Sequence, residues 1–75
     1  MPDKLQEMET FVRVVEAGSI SAAAEQLAVA KSVVSKRLSD LESRLGVQLL
    51  ARTTRSLSLT DSGRSFLEQT KEILT

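Results

Sequence analysis

A mostly α fold, three helices followed by a small β-hairpin and a fourth helix, is what these 75 residues predict. Three observations predict it. Apolar residues recur at helical spacing through 5–15, 34–45 and 66–74. Gly18 and Gly46 sit just past the ends of the first and the longest of these runs, where helices stop. Between Gly46 and the last run the period changes to alternation, at Val47, Leu49, Leu57 and Leu59. A chain of this length forms one small domain at most and buries only about 60% of its unfolded surface. Its 41% apolar content is near the usual share for a globular domain.

Asp3 and Gln6 form a capping-box pattern that opens the first helix, with Leu5, Met8, Phe11, Val12 and Val15 on its inner face. Ser21 is the expected cap of a short second helix, whose inner residues Ala23, Ala24 and Leu27 are mostly small and permit close backbone approach. The third helix has one apolar stripe, Val34, Leu38, Leu41 and Leu45. A hairpin over about 47–59 follows, with a basic tip at Arg52-Thr53-Thr54-Arg55-Ser56. Thr60 caps the last helix, in which Gly63, Phe66, Thr70 and Ile73 form a seam beside Leu67 and Leu74. Gly63 in the first turn costs about 1 kcal/mol against Ala, so close packing is expected there. No closing signal precedes Thr75, and the expectation is a helix that runs on.

The absence of Cys and His excludes disulfides, Cys/His metal sites, thiol nucleophiles and histidine bases. Formal net charge is zero, which taken whole argues against a polyanionic partner, but the charges are segregated. Residues 1–29 carry a net −3 and residues 61–75 a net −1, whereas 30–55, with Lys31, Lys36, Arg37, Arg44, Arg52 and Arg55 against Asp40 and Glu42, carry +4. A surface so polarised orients on a polyanion. No apolar run approaches the roughly 18–20 residues of a membrane span and no secretory leader opens the chain, so a cytoplasmic location is expected.

Helix, tight turn, longer helix and arginine-tipped hairpin is the order of a winged helix-turn-helix. At about 100° per residue, the face of the third helix opposite its apolar stripe collects Ser32, Lys36, Ser39 and Ser43, flanked by Ser35 and Asp40. Short hydroxyls beside lysine let a helix sit deep in a major groove, where Ser takes either base edge and Lys prefers guanine O6 and N7. The competing reading is a solvated face. Arg52 and Arg55 suit phosphates or a narrow minor groove, or else surface salt bridging, with Arg52 folded back on Glu42.

The run Phe11-Val12-Arg13-Val14-Val15-Glu16-Ala17-Gly18-Ser19-Ile20-Ser21-Ala22-Ala23-Ala24-Glu25-Gln26-Leu27 resembles the opening of LysR-type transcriptional regulators. Ser35-Lys36-Arg37-Leu38, Leu41-Glu42-Ser43-Arg44-Leu45-Gly46-Val47-Gln48-Leu49-Leu50-Ala51-Arg52 and Leu59-Thr60-Asp61-Ser62-Gly63 continue the resemblance in register. It implies a bacterial DNA-binding domain over 3–60, with the helix-turn-helix at about 20–39, and the start of a linker helix over 61–75 that pairs two subunits on a palindromic operator. It further implies base contacts from Lys31, Ser32, Ser35 and Lys36, wing contacts from Arg52 and Arg55, and a phosphate contact from Ser21. Dimerisation would use Phe66, Leu67, Thr70, Ile73 and Leu74, and could extend to a higher oligomer in a full-length protein. Members carry a carboxy-terminal domain that senses a small-molecule effector. That domain is absent from these residues, for which no cofactor and no metal is expected.

Many members read Ser-Gln-Pro where this chain has Ala30-Lys31-Ser32, so the usual serine cap is replaced by a poor one. Either Ala30 marks the helix start, or Ser32 caps and delays it by two residues. Gln favours adenine and Lys31 guanine, and Lys36, where arginine is frequent, keeps the charge but loses the bidentate fork. The seam of the last helix could instead pack on the first helix of the same chain. A small helical protein-interaction module with an apolar docking seam is the alternative function. An enzyme is not expected, because Asp3, Glu7, Glu9 and Glu16 lie on one helix without a partner cluster.

Overall fold

The computed structural model describes residues 4–52 and 57–74. Helices α1 (Lys4–Ala17), α2 (Ile20–Leu27) and α3 (Lys31–Leu45) lead into strands β1 (Leu50–Arg52) and β2 (Leu57–Leu59), and helix α4 (Asp61–Leu74) closes the order. The strands are antiparallel, with Leu50 opposite Leu59 and Arg52 opposite Leu57. Helix α3 packs on α1 and α2, while α4 packs on α1 and β2. Phe11, Val14, Ala23, Ala24, Val34, Leu38, Leu41, Leu49 and Leu50 are the buried apolar residues at their common centre. The small Ala23 and Ala24 hold α2 close, as expected, and Phe66 of α4 meets Phe11 edge-on at 5.6 Å between ring centres.

Backbone chemistry sets most boundaries. Gly18 at φ 87° ends α1, and Gly46 at φ 71° ends α3 with its N–H on the Glu42 carbonyl oxygen at 2.8 Å. The capping-box residue Asp3 lies outside the described residues. At α2 the cap is Ser19, not Ser21: Ser19 has extended backbone and its Oγ accepts the Ala22 N–H at 3.0 Å. Ser21 is already inside the helix, exposed in its first turn. Ala28 makes the turn to α3 in the left-handed region (φ 58°), at a cost of about 1–2 kcal/mol for a residue with a Cβ. Helix α3 starts at Lys31, with Ala30 at its cap position and no side chain capping it. Ser32 therefore does not delay the helix.

The buried stripe of α1 is rotated from the expected one. Glu7, Thr10, Phe11 and Val14 are buried, Met8, Val12 and Val15 are half-buried, and Leu5 is exposed. The cause is α3, which brings two arginines against α1. Arg44 forms an ion pair with Glu7, and Arg37 donates to Thr10 Oγ1 at 3.5 Å. Thr10 Oγ1 in turn donates to the Gln6 carbonyl oxygen at 2.8 Å.

The hairpin is shorter than its alternating pattern. Val47 is exposed and Leu49 buried ahead of β1, because 47–49 is tied to other elements instead of to a ladder. Glu42 Oε2 accepts the N–H groups of Leu49 (2.7 Å) and Leu50 (3.2 Å), Thr60 N–H donates to the Leu49 carbonyl (3.0 Å), and Thr60 Oγ1 donates to the Gln48 carbonyl (2.6 Å). Thr60 also caps α4 as expected, its Oγ1 accepting the Gly63 N–H at 2.9 Å.

Helix α4 turns much of its seam inward. Gly63 and Thr70 are buried, Phe66 and Leu67 are half-buried against the core, and Ile73 is 63% exposed. Gly63 rests directly on the Leu49 backbone. Among the described residues the buried Thr70 hydroxyl has no hydrogen-bond partner, which costs about 1–3 kcal/mol.

Candidate nucleic-acid interface

Helix α3 is two-sided. Val34, Leu38 and Leu41 are buried, so the opposite face is held outward by the core itself. Of the expected base-reading residues, Lys31, Ser32 and Lys36 are exposed and Ser35 is half-buried, all in the first two turns. Ser39 and Ser43 continue the exposed face. Because no side chain caps α3, the positive end of its dipole lies open beside Lys31, an arrangement that favours phosphate or another anion.

The basic segment is not all available to a partner. Arg37 and Arg44 are spent on Thr10 and Glu7 of α1, leaving Lys31 and Lys36 as the lysines of the outward face. Lys36 Nζ lies 3.1 and 3.4 Å from the two carboxylate oxygens of Asp40, one turn on. Arg52 ends β1, with its side chain outside the described residues, and Arg55 lies outside them altogether. Ser21 stands exposed in the first turn of α2, two residues after the cap Ser19 and at the far end of α2 from the turn that leads to α3.

Two residues of this surface escaped the sequence reading. Val33 is an exposed apolar residue at the start of α3, one position from the stripe. A valine there can pack on a thymine methyl group. Glu42 carries a signal only in hindsight. An acid three residues before Leu45-Gly46 is unremarkable until the chain doubles back and offers it two amide N–H groups. It fastens the chain entering β1 to helix α3 through these two hydrogen bonds. Glu42→Ala is expected to strand both amides and lower stability by about 2 kcal/mol, with Leu49 and Leu50 amide exchange accelerated more than that of α2. Unchanged exchange at those two amides would show that the clamp is dispensable.

An open groove of about 460 Å³ between the end of α3 and α4 is lined by Leu45, Val47, Leu49, Asp61, Ser62, Ser65, Phe66 and Gln69. Asp61 is its single ionisable residue, so no acid–base pair converges there. No group of metal-ligating side chains occurs among the described residues, and no helix among them is long and apolar enough to cross a membrane.

Residues 5–64 match the family described as bacterial regulatory helix-turn-helix protein, lysR family. An HTH-type transcriptional repressor of Pseudomonas aeruginosa is 53% identical over 72 residues, which are 96% of this chain and 23% of that protein. The HTH-type transcriptional regulator CrgA of Neisseria meningitidis is 51% identical over 74 residues, 99% of this chain and 25% of the relative. The chain thus spans about a quarter of the length of these curated relatives. Among solved structures, a CbnR DBD–DNA complex superposes with a TM-score of 0.91 at 38% identity, covering 96% of this chain and 83% of that one. The matching proteins are transcriptional regulators and not enzymes. By its sequence over 5–64 and by its helices, wing and fourth helix, the chain belongs to the lysR family of bacterial regulatory helix-turn-helix proteins.

Proposed function

We propose that this chain is the operator-reading part of a LysR-type transcriptional regulator. Helix α3 enters the major groove, the β1–β2 wing lies at the adjacent minor groove, and two copies occupy the halves of a palindromic operator. The observation that carries the reading is the two-sidedness of α3, with Val34, Leu38 and Leu41 of the expected stripe buried, Leu45 alone of it exposed at the helix end, and lysines and short hydroxyls on the opposite face. Its likeness to a DBD–DNA complex supports the same placement. Lys31, Ser32, Ser35 and Lys36 read base edges, Arg52 and Arg55 serve the wing, and Ser21 meets a phosphate at the start of α2. The setting is the cytoplasm, at the nucleoid, and a small-molecule effector would act through a further domain of the regulator.

Selection of random duplex DNA by the chain at low and moderate salt tests this reading. An enriched palindrome whose binding falls steeply with salt is expected, because neutralised phosphates release counterions. Absence of salt-dependent duplex binding would favour a protein-docking module instead. Lys31→Gln is expected to move one position of each half-site from G toward A, by about 1–3 kcal/mol, in base-by-base operator scanning. An unaltered profile would remove Lys31 from the reading set.

Dimerisation is proposed through the outer side of α4. Phe66, Leu67 and Thr70 contribute mainly by stiffening that helix against the core, while Ile73 offers an apolar side chain to a second copy and Leu74 ends the described helix. Sedimentation equilibrium is expected to show a dimer that Ile73→Glu converts to monomer at the same concentration. A dimer unaffected by Ile73→Glu would place the interface elsewhere.

A further inference from the structure

We propose that Lys36 and Asp40 act as one reading unit for a single G·C base pair, with Asp40 as a specificity-determining residue. The inference rests on the proposed entry of α3 into the major groove and deepens it. Lys36 is 76% exposed and Asp40 38% exposed in their side chains, on the outward side of α3. Their ion pair spans 3.1 Å from Nζ to Oδ2. An exposed pair one turn apart contributes little to stability, so its consequence is at the surface it shapes. It presents an ammonium donor and a carboxylate acceptor side by side, 3.1 Å apart when paired.

A base pair presents the complementary pattern. In the major groove guanine O6 accepts and cytosine N4 donates, and because these two atoms are hydrogen-bonded to one another they lie about 2.9–3.0 Å apart. A donor and an acceptor 3.1 Å apart match that edge, Lys36 taking guanine O6 and Asp40 taking the free N4–H of cytosine. Guanine N7 adds a second acceptor on the lysine side. On an A·T pair the same unit meets conflicts. Asp40 on adenine N6–H is placed beside N7, a second acceptor that repels it, and Lys36 on thymine O4 crowds the apolar C5-methyl group. Against phosphate the carboxylate is simply repelled. Asp40 therefore costs affinity everywhere except where an exocyclic amino group faces it, the repulsive element that specificity requires.

The test is selection from random duplex DNA by the wild-type chain, Asp40→Ala and Asp40→Asn, followed by titration of the enriched duplex and its single-pair variants. The wild type is expected to prefer G·C over A·T at one pair of each half-site by about tenfold. Asp40→Ala should reduce that ratio below about threefold while binding of unselected duplex stays level or rises. Asp40→Asn should admit adenine at the cytosine position, since an amide pairs with adenine N6 and N7. The slope of affinity against salt should be the same in all three, because no phosphate contact has been added or removed. Thermal melting of the variants should coincide with wild type, as the pair lies at the surface.

Two results would overturn the proposal while leaving DNA reading intact: an unchanged tenfold preference in Asp40→Ala, or a uniform gain on every duplex with no change of profile, which would mark mere phosphate repulsion. A wild-type chain that binds duplex without enriching any base pair also overturns it. If the wild type shows no salt-dependent duplex binding at all, the proposed function fails first and this inference with it.

Discussion

Gly63→Ala is expected to remove about 3 kcal/mol of stability although alanine is the better helix former by about 1 kcal/mol. A Cβ on residue 63 would lie 2.9 Å from the Leu49 carbonyl carbon and closer still to its oxygen. The obstacle is backbone, which cannot rotate away as a flexible side chain does. Relief requires the first turn of α4 to lift from 48–49, and that movement strains the Thr60 N–H to Leu49 carbonyl bond and the Thr60 Oγ1 bonds to Gln48 and Gly63 together. A domain of 75 residues has only about 4–11 kcal/mol in all, so a large share is lost. Urea unfolding followed by circular dichroism reads the effect as a lower midpoint. A variant as stable as wild type would mean that α4 and the wing root slide past one another freely.

Arg44→Met is expected to cost about 2–3 kcal/mol, because it leaves the Glu7 carboxylate, 2% exposed, without its cation. The figure lies below that of a fully buried pair, since the Arg44 side chain stays 34% exposed and water screens it. Glu7→Met together with Arg44→Met should recover most of the loss, as apolar replacement of both partners removes the desolvation penalty along with the attraction. A double-mutant cycle in urea measures this, and additive losses would deny the coupling. On the proposed function the pair also bears on DNA: it ties the end of α3 to α1, so the single variant should weaken duplex binding by loosening α3, and the double variant should restore it.

Glu7 and Arg44 also show why periodicity was an incomplete guide. Leu5, Met8, Val12 and Val15 are the more apolar choice of face for α1, and a hydrophobic pattern selects them. The folded chain buries Glu7 and Thr10 instead, because Arg44 and Arg37 supply polar partners from thirty or so residues away, and no local window contains both members of either pair. The same limit applies to α4. Its seam of Gly63, Phe66 and Thr70 is visible as an apolar stripe, but whether such a stripe meets its own core or a second copy depends on what lies opposite, and here Phe11 and the Leu49 backbone do. At α2, Ser19 and Ser21 are both suitable caps by residue type. The choice fell to Ser19 because its backbone is extended (φ −161°, ψ 159°) directly after the left-handed Gly18.

The sequence by itself determined the order of elements, the stops at Gly18 and Gly46, the cap at Thr60, the stripe of α3 and hence which face of that helix looks outward, and the family that these residues resemble. Each is a local property: a glycine with positive φ, a hydroxyl within reach of an amide three residues on, or four apolar residues with one period. Tertiary structure alone decided which charges remain for a partner, since Arg37 and Arg44 turn to α1 while Lys31 and Lys36 stay outside. It alone made Glu42 the link between α3 and the chain entering β1. A carboxylate's role follows from the donors brought within hydrogen-bond distance, and those donors arrive only when the chain has folded back on itself.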